Sequence, residues 1–298
     1  MTWNGAARLP ATLGALRDLD GAFELVVVDN GSADGSAERA EALFPRAHLI
    51  RNRENLGFAP ASNQGIEYAL AREATHVALV NDDMRLDRRW LAEVLAEAQR
   101  DRAIGVAGGL ILFDDRPDTI NSTGLVRDRW WRVWDRDIGA PRSTRADLAA
   151  SDVEGVSGGA MLLTRSALDE VGRLDAALFA YFEDFDFCVR ARASGFRVRF
   201  VPSAVSWHAF AASTGPRSPL RARLLARNHM AIVGRYAPVP QVVPELIAIA
   251  LFRSLVRAPL ALGRGRGGEA SAEIQGSLAG LGRGLKELVA RRRRSISP

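Results

Sequence analysis

Lysine and cysteine are almost missing from this sequence: among 298 residues, Lys286 is the sole lysine and Cys188 the sole cysteine. One cysteine excludes an internal disulfide and any cysteine zinc cluster, and it fits a reducing compartment, so the cytosol is the expected location. Nor does the chain hold an unbroken apolar run near the roughly 20 residues that a spanning helix needs. The best stretch, Leu246 to Leu262, is interrupted by Arg253, Arg257 and Pro259, and is expected to lie on a bilayer rather than to cross it. The opening residues Met1 to Gly5 have neither a basic nor an apolar leader pattern, so secretion is not expected.

What is there describes a globular protein: 47% apolar residues and 25% charged ones can bury one large or two modest cores. The net charge of +5 is carried by arginine and gathers at the end, where Arg291 to Arg294 close the chain. With the apolar run Leu246 to Phe252 nearby, such a tail suits an anionic lipid surface, and nucleic acid is not expected as a partner.

Short apolar segments alternate with segments of helical period, the pattern of βαβ units, which predicts an α/β fold with a mostly parallel sheet flanked by helices. Strands are expected near Glu24–Val28, Val77–Val80, Gly105–Leu112, Ala160–Thr164 and Val198–Val201, with helices near 37–44, 59–71 and 88–98. Between Asp114 and Asp152 the pattern fails, and Trp130, Trp131 and Trp134 crowd together in what reads as a long functional loop. The tryptophans suit stacking on sugar rings or contact with a lipid carrier, or else anchor the loop.

Asp82 and Asp83 follow the run Val77 to Val80, where a buried strand opens into a loop. Ligands bind at that end of open α/β sheets, and hard carboxylate oxygens there suit Mg²⁺ or Mn²⁺ gripping a diphosphate; a solvated loop is the plain alternative. Asp29-Asn30-Gly31-Ser32 stands in the same relation to Leu25–Val28 and offers acceptors to a nucleobase or ribose, or merely caps a helix. Asn55 to Ala59, followed by Asn63, gathers amides and a close-approach glycine, Gly57, at a helix start that favours a phosphate or hydroxyl.

These pieces together resemble the family 2 glycosyltransferases, in particular the bacterial branch of rhamnosyl- and galactofuranosyltransferases. The resemblance runs in order through Trp3-Asn4-Gly5, Val28 to Ser32, Asn55 to Ala59, Asn81-Asp82-Asp83, Gly155 to Met161, Tyr181 to Asp186 and Trp207-His208, about the first 215 residues. It implies a GT-A fold, Rossmann-like in its nucleotide half, and a metal-dependent hexosyltransferase that inverts the anomeric carbon of a nucleotide sugar. By the same resemblance Asp29 and Asn30 contact the donor, with Asn55, Gly57 and Asn63 near the nucleoside and Asp82 near the ribose or the metal. Asp83 and His208 hold the ion, Asp184 is the base, and Glu183 orients Asp184 or the acceptor. Gly158 and Gly159, with Trp131, are expected to line the acceptor side.

Family members begin with a complete strand before the equivalent of Thr2-Trp3-Asn4-Gly5, and that strand is not seen here, which exposes neighbouring strand edges. A division into residues 1–219, the transferase domain, and 220–298, a helical basic region, is expected. In the latter, Leu278, Leu281, Leu285 and Leu288 share one helical stripe, with Arg283, Lys286, Arg293 and Arg294 mostly away from it. The expected donor is a dTDP- or UDP-sugar, rhamnose or a relative of it, and the expected acceptor a glycan or polyprenyl-linked hydroxyl. The enzyme would then sit on the inner face of the cell membrane in polysaccharide synthesis. A silent nucleotide-sugar-binding scaffold is the competing expectation.

Overall fold

In the computed structural model, residues 1–145, 147–209 and 218–296 are described, with side chains as far as Arg291. The elements in chain order are α1 (Leu9–Arg17), β1 (Val26–Asp29), α2 (Ser36–Leu43), β2 (His48–Arg51), α3 (Phe58–Ala71), β3 (His76–Val80), β4 (Met84–Leu86), α4 (Trp90–Arg100) and β5 (Ile104–Phe113). Then follow β6 (Ile120–Ser122), β7 (Leu125–Arg127), β8 (Val133–Asp135), β9 (Ser151–Asp152), β10 (Ala160–Thr164), α5 (Arg165–Val171), α6 (Glu183–Ala193) and β11 (Arg197–His208). Helices α7 (Pro219–Tyr236), α8 (Val239–Phe252), a π-helical turn (Arg253–Arg257), α9 (Ala258–Gly263) and α10 (Gly267–Ile296) complete it.

The chain forms two compact units. The first comprises Met1–Val126, Trp134–Phe179 and Glu183–Ser213, the second Arg127–Val133, Ala180–Phe182 and Thr214–Pro298. In the first, a sheet ordered β3-β10-β5-β11-β4 carries β6 and β9 at its margins, and β1 and β2 pair separately in parallel. The α/β class is as expected, but the large sheet is mixed: β10 runs antiparallel to β3 and β5, and only β5 and β11 are parallel. Strand direction leaves no mark on a run such as Ala160–Thr164, buried along its whole length. One apolar cluster, with Ile66, Val106, Met161, Leu163 and Phe200, lies toward α3 and α6; the other, with Leu9, Trp90, Ile104 and Leu162, lies toward α1 and α4. The sequence reading missed β2, whose alternation His48-Leu49-Ile50-Arg51 is too short to register.

The second unit is helical, with α10 laid along α7. The predicted leucine stripe is split: Leu278 and Leu285 are exposed, Leu281 is half-buried and Leu288 buried, while Gly276, Gly280 and Gly284 are buried against α7. A β-carbon on Gly284 would stand 2.7 Å from Met230 O, and one on Gly276 would stand 2.6 Å from Arg223 O. Glycines that weaken an isolated helix here bring two backbones together. The side chains of Arg293 and Arg294 lie outside the described residues. Arg253 Nη1 and Arg257 Nε each donate to the buried Glu273, both at 2.7 Å. Of the two charges that break the apolar run, Arg253 is therefore largely buried, while Arg257 stays half exposed beside it. The helical run Val239–Gly263 is then apolar and long enough to cross a membrane by length and composition, which its sequence alone did not suggest. Leu251, Phe252, Leu255, Leu260 and Leu262 on it are exposed.

Candidate active site

The short connection Asn81-Asp82-Asp83 joins β3 to β4, and β4 pairs with the end of β11 so that Met84 lies opposite His208. Ala209 N donates to Asp83 O at 2.9 Å, locking that register. His208 Nε2 consequently lies 3.5 Å from Asp83 Oδ2. Its Nδ1 is 3.0 Å from Asn121 Oδ1, an atom that only accepts, so Nδ1 carries a hydrogen there and Nε2 is the nitrogen turned toward Asp83. Asp83 Oδ1 is buried with no hydrogen-bond partner, and a cation between the carboxylate and a neutral imidazole would engage both.

No third His, Cys, Asp or Glu joins them in a metal-ligand cluster among the described residues. A carboxylate and an imidazole with room for phosphate oxygens and water nonetheless suit Mg²⁺ or Mn²⁺, which take few protein ligands beside a bound diphosphate. The donor set fits such an ion. Asp82, expected near the ribose or the metal, is engaged within the fold: its Oδ2 accepts from Thr2 Oγ1 at 2.6 Å and from Arg8 Nη2 at 2.9 Å, and Thr12 Oγ1 donates to its carbonyl, so this residue ties α1 and the first residues to the β3–β4 turn.

The second acidic group opens α6. The chain approaches it with Phe179, Tyr181 and Phe182 in the left-handed region, at φ of 67°, 70° and 73°. Such strained residues gather at functional sites. Asp184 Oδ2 accepts from Gly158 N at 2.8 Å and Oδ1 from Phe185 N at 2.7 Å. Gly159 O accepts from Asn81 N at 2.9 Å. Gly158 and Gly159 thus carry both carboxylate loops on adjacent peptides, and a β-carbon on Gly158 would approach Asp184 Cβ to 3.2 Å. They serve as scaffold for the acids, at the place expected of them on the acceptor side. Burial raises the Asp184 carboxyl above its ordinary value; burial, reinforced by Asp184, raises that of Glu183 well above the usual carboxylate range. Asp186 turns away to Arg190 at 2.9 Å.

Two residues of this site were missed in the sequence. Asn121 is buried on β6 beside His208. Asp135, at the end of β8, is pushed up to about 6 by burial and by the charge of Asp184, against the Ser122 hydroxyl and His208, which lower it. Both lie in the irregular stretch 114–152, whose lack of period marked it as functional while only its tryptophans stood out.

Toward the nucleotide side, Asp29 is buried at the end of β1 with Oδ1 unpartnered, as a ligand-facing carboxylate would be. Asn30 is spent inside the fold: it donates to Asn55 Oδ1 and Gly57 O, and accepts from Asn52 Nδ2 and Leu56 N. Asn55 Oδ1 also accepts from Gly57 N. Asn63 is tied at both ends to Leu174, and Gly57, at φ 95°, has Phe179 2.6 Å from where a β-carbon would stand. Asn30, Asn63 and Gly57, expected at the donor, thus also hold the loop, and Asp29 is buried beside them. In the second unit, Trp131, expected on the acceptor side, is closed in by Tyr236, ring centroids 5.9 Å apart, and by Arg127, so it anchors its hairpin.

Comparison with known proteins agrees with this layout. The family model described as Glycosyl transferase family 2 matches residues 1–172. An N-acetylglucosaminyl-diphospho-decaprenol L-rhamnosyltransferase of Mycobacterium tuberculosis is 31% identical over 222 residues, 69% of this chain and 71% of the relative. A dTDP-rhamnosyl transferase, RfbF of Shigella flexneri, is 24% identical over 62% of this chain and 59% of its own. In fold, the chain is similar to the mannosyltransferase PcManGT from Pyrobaculum calidifontis, solved with GDP-Man and Mn²⁺, with a TM-score of 0.56 at 18% identity over 94% of this chain and 85% of that one.

Proposed function

Because this chain belongs to glycosyl transferase family 2, we propose that it moves rhamnose or a closely related hexose from a dTDP- or UDP-sugar to a hydroxyl of a lipid-linked glycan, with inversion. The observation that carries the reading is the facing pair Asp83 and His208 with an unsatisfied carboxylate oxygen, joined through Gly158 and Gly159 to the raised carboxyl of Asp184. The 31% identical rhamnosyltransferase supports the sugar, and the decaprenol in its name the lipid-linked acceptor.

The residues divide the work by chemistry. Asp29 takes hydrogen bonds from the base. Asp83 and His208 would hold Mg²⁺ or Mn²⁺, which supplies positive charge against the departing nucleoside diphosphate. Asp184 removes the acceptor's proton as its oxygen attacks; the peptide N–H groups of Gly158 and Phe185 aim the carboxylate, and its raised affinity for protons suits a base. Glu183 stays beneath it as a buried carboxyl that fixes the start of α6. Residues 1–219 are the catalytic part in this reading.

Residues 220–298 bring the enzyme to its acceptor. With Arg253 and Arg257 both paired to Glu273, the outward face of Val239–Gly263 is largely apolar and suits the cytoplasmic surface of a membrane. Incubation with dTDP-rhamnose or UDP-sugars and a polyprenyl-diphospho-sugar, with and without Mn²⁺, tests the whole reading. Transfer with inversion supports it, and metal-independent donor binding without transfer to any acceptor would favour a scaffold.

A further inference from the structure

The two units carry opposite charge. The second holds 18 lysines and arginines against 5 aspartates and glutamates, a formal charge of +13, whereas the first holds 22 against 30 and stands at −8. The acids of the second unit are already spent: Glu269, Glu273 and Glu287 each pair with arginine, Asp128 pairs with Arg132, and Glu245 is buried. Positive charge is in excess on the same unit that exposes the apolar side chains of Val239–Gly263.

Within this unit the segment Arg127–Val133 is braced into one shape. Asp128 Oδ1 accepts from Trp130 N at 2.9 Å and Arg132 N at 3.0 Å, and Oδ2 accepts from Arg132 Nε at 2.7 Å. Trp131, held at φ 57°, turns inward onto Tyr236, and His229 Nε2 of α7 donates to Trp130 O at 3.0 Å. The loop so fixed offers Arg129 and Trp130 outward: both are exposed, and the guanidinium lies 5.0 Å from the centroid of the indole. No carboxylate pairs with Arg129 among the described residues, because the one acid of the segment is taken by Arg132. An exposed indole beside a guanidinium suits the level at which acyl chains meet phosphate headgroups.

We propose that this loop is a headgroup contact, with the Trp130 indole seated at the lipid–water interface and the Arg129 guanidinium on the phosphate of an anionic phospholipid. This rests on the reading that the second unit meets a membrane, and it adds what an apolar face cannot supply. Burial of apolar surface is indifferent to headgroup charge, whereas a cation held at the interface prefers an anionic lipid to a zwitterionic one.

Co-sedimentation of the full chain with vesicles of phosphatidylcholine, alone or mixed equally with phosphatidylglycerol, tests the contact. Arg129→Glu should weaken binding to the mixed vesicles by about tenfold and leave binding to phosphatidylcholine within about twofold, with Tm nearly unchanged. Brominated lipid in the mixed vesicles should quench the tryptophan fluorescence of the wild-type chain more than that of Trp130→Phe. Undiminished binding of Arg129→Glu to the mixed vesicles, or equal quenching of the two chains, would overturn the proposal. So would normal vesicle binding by Arg129→Glu with lost transfer to a detergent-dispersed polyprenyl acceptor, which would assign the loop to the acceptor. Wild-type protein that ignores both vesicles would overturn the membrane reading itself, and the loop contact with it.

Discussion

Asn121 Oδ1 lies 3.0 Å from His208 Nδ1, and this one contact decides which imidazole nitrogen faces Asp83. Asn121→Leu should therefore weaken Mn²⁺ binding by about 10- to 100-fold, the usual cost of losing a ligand's outer partner. Asn121→Asp, which still accepts from Nδ1–H, should largely keep it. Calorimetric titration of Mn²⁺ without donor or acceptor reads both, and an unchanged affinity in the leucine variant would show that Asn121 does not orient the ring.

Asp184→Asn keeps the size of the side chain and its acceptor oxygen for Gly158 N, but it cannot take a proton. Turnover should fall by roughly 10²- to 10⁴-fold while donor affinity stays within about twofold. Parallel loss of donor binding would mean that the residue shapes the pocket and is not the base.

His229 of α7 is buried, stacks on Phe182 and lies with Nε2 3.0 Å from Trp130 O. Burial drives its pKa down to about 4, whereas an unfolded histidine titrates near 6.5. Between those values unfolding takes up a proton, so the contribution is complete above about pH 6.5 and is lost as pH falls toward 4. The second unit should lose about 2 kcal/mol from this group between pH 7 and pH 5. His229→Gln should flatten that dependence in thermal melts, and an identical slope in the variant would assign the acid sensitivity elsewhere.

Leu251 and Leu255 belong to the outward apolar face in the second unit, Leu255 with 69% of its surface free. Changing both to Glu should release the protein from anionic vesicles in a flotation assay and leave its Tm nearly unchanged. Persistent flotation would remove this face as the anchor.

Glu273 is 1% exposed and receives two arginines. Glu273→Gln leaves both cations without a counter-charge, one of them largely buried, and should cost about 3 kcal/mol in a denaturant titration of the full chain. A loss under about 1 kcal/mol would show that water reaches the arginines.

Asp83, Asp184 and His208 stood out as candidates because each sits in a short motif at the end of a strand or the start of a helix, positions the apolar pattern locates. The partners of Asn30 and Asn63 were hidden for a related reason. A polar residue beside a turn looks the same in sequence whether its partner is a ligand or a backbone group 111 positions away, as for Asn63 and Leu174. Asp135 and Asn121 depend on β6 and β8, strands of three residues each, too short to carry a period. The mixed sheet was hidden because burial on both faces makes parallel and antiparallel strands equally apolar.

The glycine seam between α10 and α7 also sets an order of events during synthesis. α7 leaves the ribosome first, with the ridge at Ala226, Met230 and Gly234 uncovered, because no other segment made by then presents a flat backbone to it. α10, poor in helix propensity at Gly276, Gly280, Gly282 and Gly284, gains its helical form on that ridge. A nascent chain held before residue 276 would therefore leave this face of α7 without its α10 cover.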